Sequence, residues 1–168
     1  MRKGFTLVEL MVSIVILSIM MLFLYKSYSG LNKSNKIFDK EVQKVSKIEK
    51  IKQILYLDFT LAQGVTILNQ DNKEDVVFLK TRSSAHNRVN PYVAYIVKAK
   101  ILYRLESLRE LKEYPLGADS EFVVDKLKGV ELFRVYPSRE HQNSLYLIHI
   151  VFEDGEEVLL KVKSLNIA

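Results

Sequence analysis

The sequence predicts an α+β fold in which one long N-terminal helix packs on an antiparallel β-sheet, and the first half of that helix spans a membrane. Three patterns lead to this fold class. An apolar stretch fills residues 5–25, with Glu9 as its only ionisable side chain before Tyr25. Apolar residues then recur at three- and four-residue steps as far as Ala62, the spacing of one helix face. Beyond Gly64 the chain changes to short β-forming runs, so we expect a sheet that covers the apolar face of the helix.

The apolar stretch at residues 5–25 is long enough to be a transmembrane helix. At about 1.5 Å of rise per residue it spans the roughly 30 Å hydrocarbon core of a bilayer. A secretory signal peptide would have a shorter apolar core with its cleavage site after it, whereas here the plausible cleavage residue, Gly4, comes before the apolar run. We therefore expect the helix to remain in the mature protein and to contact the lipid bilayer.

Glu9 is the exception within this apolar stretch. A carboxylate at the centre of a membrane costs on the order of 2.5–3.5 kcal/mol, and such groups are usually paired and functional. One alternative is that Glu9 lies near the helix end, reaches the interface or stays protonated, and has no further role. The other is that a cationic partner compensates its charge.

The N-terminal junction resembles that of type IV pilins and type II secretion pseudopilins, through Arg2, Lys3, Gly4, Phe5 and Glu9 ahead of a hydrophobic helix. The resemblance implies that residues 1–4 are a leader, which prepilin peptidase removes by cutting between Gly4 and Phe5, and that Phe5 is then N-methylated. Without a Cβ, Gly4 would allow the peptidase a close approach to the backbone. The resemblance also implies that Glu9 pairs with the Phe5 amine of a neighbouring subunit as the subunit enters a filament.

The charges around the helix do not by themselves give its orientation. Arg2 and Lys3 precede it, but five lysines follow it closely, so simple positive-inside counting opposes the topology of the family. Long domains translocate regardless of charge. Following the resemblance, we expect a single-pass protein of the bacterial inner membrane, with a cytoplasmic N-terminus and a periplasmic domain.

Residues 26–64 are expected to form an amphipathic stalk helix that ends at Gly64. Residues 27–35 are rich in side chains that compete with helical backbone hydrogen bonds, so this segment is a predicted weak point; an ordinary surface loop is equally open there. A lysine stripe could contact phosphates or acidic neighbours, but is more often a solvated face. The predicted core stripe is Phe38, Val42, Val45, Ile48, Ile51, Leu55, Phe59 and Ala62; the lysine stripe is Lys33, Lys36, Lys40, Lys44 and Lys47.

Residues 65–168 are expected to form an antiparallel sheet domain. The last two runs predict a hairpin around Asp154 and Gly155. The segment 106–114 has helical charge spacing and stops before Pro115, which indicates a short helix or an ordered loop. The predicted strands are residues 65–68, 76–80, 92–97, 101–105, 130–136, 145–152 and 157–162.

The domain sequence is most similar to J-type minor pseudopilins. The resemblance rests on four segments: LYLDFTLAQGV at 55–65, VVFLKTR at 76–82, VAYIVKAKILYRLE at 93–106 and LKGVELFRVYP at 127–137. Asp58, Arg82, Tyr103 and Arg104 match positions of that pattern, whereas Lys98-Ala99-Lys100 replaces its usual acidic or glycine turn. Asp58, Arg82 and Arg104 are candidate subunit contacts, the alternative being ion pairing within the domain or helix capping.

The sequence offers no recognisable catalytic constellation, cofactor motif or metal site. The chain has no cysteine, which excludes disulfides and thiolate metal ligands. His86, His141 and His149 share no ligand spacing. Two acidic clusters, Asp71 with Glu74 and Asp75, and residues 153–157, could offer oxygens to calcium but fit solvated turns better. A net charge of +5 is modest for a nucleic-acid-binding protein.

These observations predict a minor pseudopilin that assembles into the tip of a periplasmic pseudopilus and helps to initiate the filament for type II protein secretion. The implied partners are prepilin peptidase, the inner-membrane assembly platform, and other minor and major pseudopilins. The alternative is a minor pilin of a type IV pilus or a DNA-uptake filament, in which case nucleic acid would be a partner. A membrane-anchored periplasmic enzyme is a more remote alternative, because no group of convergent titratable residues is recognisable.

Overall fold

The predicted α+β class is confirmed by the computed structural model, which has a long N-terminal helix and a seven-stranded antiparallel sheet. The structure describes residues 6–70, 74–111, 113–117, 121–138 and 144–165, so the cleavage junction of Gly4 and Phe5 lies outside the described residues. The elements are α1 (Leu7–Thr60), β1 (Ala62–Leu68), β2 (Val76–Thr81), β3 (Tyr92–Lys98), β4 (Ile101–Ser107), β5 (Val123–Pro137), β6 (Leu145–Phe152) and β7 (Glu157–Lys163).

The chain divides into two compact units, Met1–Ile48 and Glu49–Ala168. The first contains most of α1, and the second contains the last turns of α1 together with the sheet. Residues 27–35 are helical in the structure. Whether they form a weak point concerns local stability, so that expectation stays a prediction.

The C-terminal end of α1 is set by the sheet and not by the glycine that the sequence indicated. The helix ends at Thr60, four residues before the predicted end. The carbonyl of Thr60 accepts a hydrogen bond from the Leu165 N–H at 2.8 Å, and that of Leu61 accepts one from the Arg82 N–H at 3.1 Å. Gly64 instead lies in β1 opposite Lys80, beside a β-bulge. The carbonyls at the end of α1 are thus partly satisfied by residues just after β2 and β7, so no glycine cap is needed.

The seven strands follow one another in the sheet in the order of the sequence, and every neighbouring pair is antiparallel. β5 is the longest strand: its first part pairs with β4 and its second part with β6. The predicted strand at 130–136 therefore covers only the second part of β5. The first part alternates exposed Val124 and Lys126 with half-buried Val123 and Asp125, so it has no apolar run to mark it.

Two hairpin turns of the sheet contain residues with positive φ. The turn at Asp154 and Gly155 joins β6 to β7, which confirms the predicted hairpin; Gly155 has a φ of 80°. Ala99 and Lys100 form a two-residue turn between β3 and β4, with φ values of 50° and 61°. Positive φ at both central residues is what a type I′ hairpin turn requires, although neither residue type favours it.

One face of the sheet packs on the last turns of α1. Ile48, Ile51, Leu55 and Phe59 are buried, as the predicted core stripe requires. Farther up the helix the same stripe is open: Phe38, Val42 and Val45 are 67 %, 48 % and 55 % exposed, so their assignment to the core of this chain was wrong. The stripe is buried from Ile48, the last residue of the first unit, to the end of α1.

The opposite face of the sheet carries a second apolar cluster built on Val76, Phe78, Ala94, Ile96 and Leu105. Leu111, from the segment after β4, is buried against this cluster, and Tyr103, Leu116 and Phe122 pack at its margin. The described part of 106–114 contains no helix: β4 continues to Ser107, and irregular chain follows. The ordered-loop alternative therefore applies to this segment, and the helix alternative was wrong.

Candidate functional site

Glu9 caps the N-terminus of α1. Its Oε2 accepts hydrogen bonds from the Thr6 N–H at 2.9 Å and from Thr6 Oγ1 at 2.8 Å. In return the Glu9 N–H donates to Thr6 Oγ1 at 3.3 Å. This reciprocal arrangement is a capping box, in which a threonine and a glutamate three residues later satisfy each other's backbone donors. The sequence contains its signal, Thr6-Leu7-Val8-Glu9, which the reading of Glu9 as a filament residue overlooked.

The helix beyond this cap presents an apolar surface on all sides. Large hydrophobic side chains from Leu7 to Tyr25 are all more than half exposed. The hydroxyls of Ser13 and Ser18 each donate to the backbone carbonyl four residues earlier, at 2.8 Å, so their polar groups are satisfied within the helix. Among the described residues there is one helix long and apolar enough to cross a membrane. Such a surface is suited to lipid or to the apolar helices of neighbouring subunits.

Two of the predicted contact residues, Asp58 and Arg104, meet inside the domain. Both are 0 % exposed. Arg104 Nε donates to Asp58 Oδ2 at 2.7 Å, and the Tyr95 hydroxyl donates to the same oxygen at 2.6 Å. The intradomain alternative thus describes their geometry, and neither side chain is part of the surface in this fold.

Arg104 also holds two further carboxylates with the other side of its guanidinium. Its Nη1 lies 2.7 Å from Glu106 Oε2 and 3.2 Å from Asp125 Oδ2. Glu106 is itself completed by Ser84 Oγ at 2.6 Å and by the Ala85 N–H at 3.1 Å. Among these groups the desolvated charges are paired and hydrogen-bonded, as buried ions must be.

The pairing changes the proton affinities of these groups. Burial alone would lower the pKa of Arg104, but hydrogen bonds and charges from Asp58, Tyr95 and Glu106 outweigh burial and raise it. Burial would raise the pKa of Glu106, yet the bonds from Ser84, Arg104 and Ala85 lower it below its ordinary value. Burial, followed by the charge of Asp58, raises the pKa of Tyr95 well above its ordinary value. Tyr95 therefore stays a hydrogen-bond donor at neutral pH.

The other two residues of the predicted pattern lie apart from this network. Arg82 is exposed, and its side chain lines a small cavity of about 60 Å³ with Leu61, Gln63 and Leu165. Tyr103 is partly buried against the second apolar cluster. Arg82 is thus the one member of the three candidate contacts whose side chain is at the surface, and its role as a subunit contact stays a prediction.

Each described histidine pairs with a carboxylate, and Asp75 of the first acidic cluster pairs with an arginine. His86 Nε2 lies 3.0 Å from Asp125, and His149 Nε2 lies 2.7 Å from Glu157. Asp75 is buried and accepts hydrogen bonds from Arg134 and the Val135 N–H. Asp71 and His141 lie outside the described residues. Within the part of the chain that the structure describes, no group of three or more His, Asp or Glu side chains is arranged to hold a metal ion.

Residues 1–25 match the family model described as the prokaryotic N-terminal methylation motif. No curated protein matches the chain, and no solved structure does. The matched region contains the cleavage junction, Glu9 and the apolar half of α1. The motif, the membrane-length helix and the antiparallel sheet together support a membrane-anchored, type IV pilin-like protein, a substrate of prepilin peptidase that assembles with other pilins.

Proposed function

We propose that this chain is a minor pseudopilin of the J type, which enters the tip of a periplasmic pseudopilus and helps to initiate filament assembly for type II protein secretion. The observation that carries the proposal is the methylation motif at residues 1–25, continuous with a 54-residue helix. In this role prepilin peptidase cuts after Gly4, Phe5 becomes the methylated N-terminus, and the helix stays in the inner membrane. The N-terminus is cytoplasmic and the sheet domain periplasmic.

Such a protein functions by packing against lipid and against other pseudopilins. The exposed apolar surface of residues 7–25 suits insertion first into lipid and then among the helices of other pseudopilins. Phe38, Val42 and Val45 extend an apolar stripe beyond the membrane segment, where a neighbouring helix would bury it. Burial of apolar surface is the main favourable term in most protein association.

Glu9 would change partner during assembly. In the single chain its carboxylate accepts from Thr6, whose two donors are uncharged. The amine of a neighbour's Phe5 is a cation, so a hydrogen bond to it adds a charge–charge attraction that the Thr6 donors cannot supply. We therefore propose that entry into the filament replaces the capping bonds with an intersubunit ion pair, which sets the stagger between subunits.

The proposal is tested by cross-linking the full chain in its native cells and identifying the attached proteins by mass spectrometry. The N-terminal peptide is read in the same experiment. We expect a methylated Phe5 start and recovery of other minor pseudopilins together with the assembly platform. An intact Met1 start without any pilin partner would overturn the proposal.

The alternative of a pilus or DNA-uptake minor pilin has one observation in its favour. Lys33, Lys36, Lys40 and Lys47 are exposed on α1. If these lysines hold nucleic acid, binding should fall steeply as salt rises. Recovery of pilus or competence components in the cross-linking experiment, with salt-sensitive DNA binding by the full chain in detergent, would select this alternative.

A further inference from the structure

The two edges of the sheet are built differently. β1 and β7 are the outer strands of the seven-stranded sheet. β7 carries Glu157, Lys161 and Lys163, and charged side chains of this kind protect an edge from pairing with another strand. β1 has the sequence AQGVTIL, with no charge and no proline. Apart from the β-bulge near its start, the β1 edge therefore lacks the charges and prolines that usually protect an edge against strand addition.

The hydrogen bonds around β2 indicate which residues of β1 face outward. The Thr81 N–H donates to Pro91, toward β3, and the Arg82 N–H donates to Leu61, toward β1. Because the direction alternates along a strand, Lys80 and Phe78 also face β1, where their partners are Gly64 and Thr66. The residues between those partners, Val65 and Ile67, then turn their N–H and C=O groups to the open edge. No strand in the described part of the chain pairs with that side of β1.

A groove of about 650 Å³ runs beside the same edge. Gly64 and Thr66 form its side at β1, and Phe78, Tyr92 and Leu111 supply apolar surface. Lys80 and Glu110 add one charge of each sign to its lining, so the groove has no net preference for an acidic or a basic ligand. A strand paired to β1 would direct alternate side chains to the face of Gly64 and Thr66, that is, into this groove.

We propose that the β1 edge binds an extended, uncharged segment of a neighbouring filament subunit, which adds to the sheet as a further strand and places an apolar side chain in the groove beside Phe78. The proposal rests on the assembly role proposed above. Backbone hydrogen bonds to Val65 and Ile67 would supply affinity, and the groove would select the side chain. Strand addition generally obtains affinity and specificity from these two sources. The uncharged edge and the charge-balanced groove favour an uncharged segment over an acidic or basic one.

Site-specific photo-cross-linking in native cells tests this placement. The full chain carries p-benzoylphenylalanine at Thr66 or, as the matched control on the protected edge, at Leu159, which is 62 % exposed. We expect the position-66 adduct to map to an uncharged extended segment of another pilin-like subunit, and the position-159 variant not to capture that segment. Capture of the same segment from both positions, or of a second copy of this chain from position 66, would overturn the proposal.

A pair of proline variants tests the hydrogen bonds. In the position-66 cross-linking background, Val65→Pro removes an outward N–H and leaves the β1–β2 ladder intact, so the adduct should fall by about tenfold. In a separate background without the cross-linker, Thr66→Pro removes a bond to β2 and should speed hydrogen exchange in β2, whereas Val65→Pro should not. An unchanged adduct yield with Val65→Pro contradicts strand addition. A Phe5 start and pilin partners in those cells would show that the edge proposal alone had failed.

Discussion

At the scale of single residues, Arg104 determines how the domain accommodates charge. One guanidinium serves Asp58 on α1, Glu106 on the same strand and Asp125 on β5. Replacement of a whole buried ion cluster by apolar residues is often neutral, but removal of one partner leaves an uncompensated charge out of water. The stability of the domain should therefore depend strongly on Arg104, because one substitution there removes the cation that pairs with three carboxylates.

Arg104→Met should destabilise the domain by about 3–5 kcal/mol. The apolar side chain fills much of the volume but leaves Asp58 and Glu106 desolvated without a cation. Urea unfolding of the full chain in detergent micelles, followed by tyrosine fluorescence, measures the change. Lys52→Met is the control, because its pair with Glu49 is exposed and should contribute less than about 1 kcal/mol. Equal losses in the two variants would contradict the proposed importance of burial.

The stability of the domain should depend on Glu106 under acidic conditions. The folded-state pKa of Glu106 lies below its ordinary value of 4.5, so its contribution is present above about 4.5 and is lost as pH falls through the folded-state pKa. Glu106→Gln should lower the unfolding free energy at pH 7 and make it fall less on acidification. Unfolding midpoints between pH 7 and pH 3 measure both effects, with the exposed Glu113→Gln as control. A parallel pH profile for Glu106→Gln would refute the assignment.

At the scale of elements, the turn between β3 and β4 has residues poorly matched to its backbone. Ala99 and Lys100 both have positive φ, which costs roughly 1–2 kcal/mol for a residue with a Cβ. The double substitution Ala99→Asn with Lys100→Gly should therefore raise the unfolding free energy by about 1 kcal/mol or more. Lys98→Asn, at an exposed strand position, should not stabilise the domain. Thermal unfolding of the two variants in micelles distinguishes these outcomes.

The helix and the strands also show which structural features can be predicted from the sequence. Periodicity predicted α1 and most strands because burial on one face imposes a local pattern on the residues. It missed the first part of β5, whose alternation is weak. It placed the helix end at Gly64 because Arg82 and Leu165, which bond the final carbonyls, are distant in sequence. At the ion cluster, resemblance marked Asp58 and Arg104, but not Tyr95. Tyr95 lies opposite Arg104 only through the β3–β4 register, which no short motif encodes.

At the scale of the whole molecule, Glu9 has two separable roles, as a helix cap and as the proposed intersubunit partner. Thr6→Ala removes the two cap bonds of the Thr6 hydroxyl and should cost about 1 kcal/mol of helix stability while assembly continues. Glu9→Val removes both roles and should still be cleaved but assemble poorly. Measurements of filament priming and of the N-terminal peptide in cells distinguish the capping role from the intersubunit role. Wild-type priming by Glu9→Val would contradict the ion-pair proposal.

Processing provides an independent prediction at the same scale. Gly4→Leu should block cleavage, because the added side chain prevents the close approach that the peptidase needs. The variant should then retain its Met1 start and stay outside filaments, as judged by mass spectrometry of the N-terminal peptide. Lys3→Leu, an equally bulky change one residue earlier, is the control and should still be cut. Normal maturation of Gly4→Leu would contradict the assigned junction.

Under the proposed topology, the hydrogen bonds that join the two ends of the sheet domain also constrain how the domain folds during export. Leu165 bonds to Thr60 at the end of α1, and Ser164 Oγ bonds to Ala62, although the partners lie about a hundred residues apart. The intervening strands each pair with the one before, so on the proposed route they could add in the order in which they emerge from the membrane. The hydrogen bonds to Thr60 and Ala62, however, can form only after Ser164 and Leu165 have emerged. A chain halted before these two residues emerge would therefore have a partly formed sheet without its hydrogen bonds to Thr60 and Ala62.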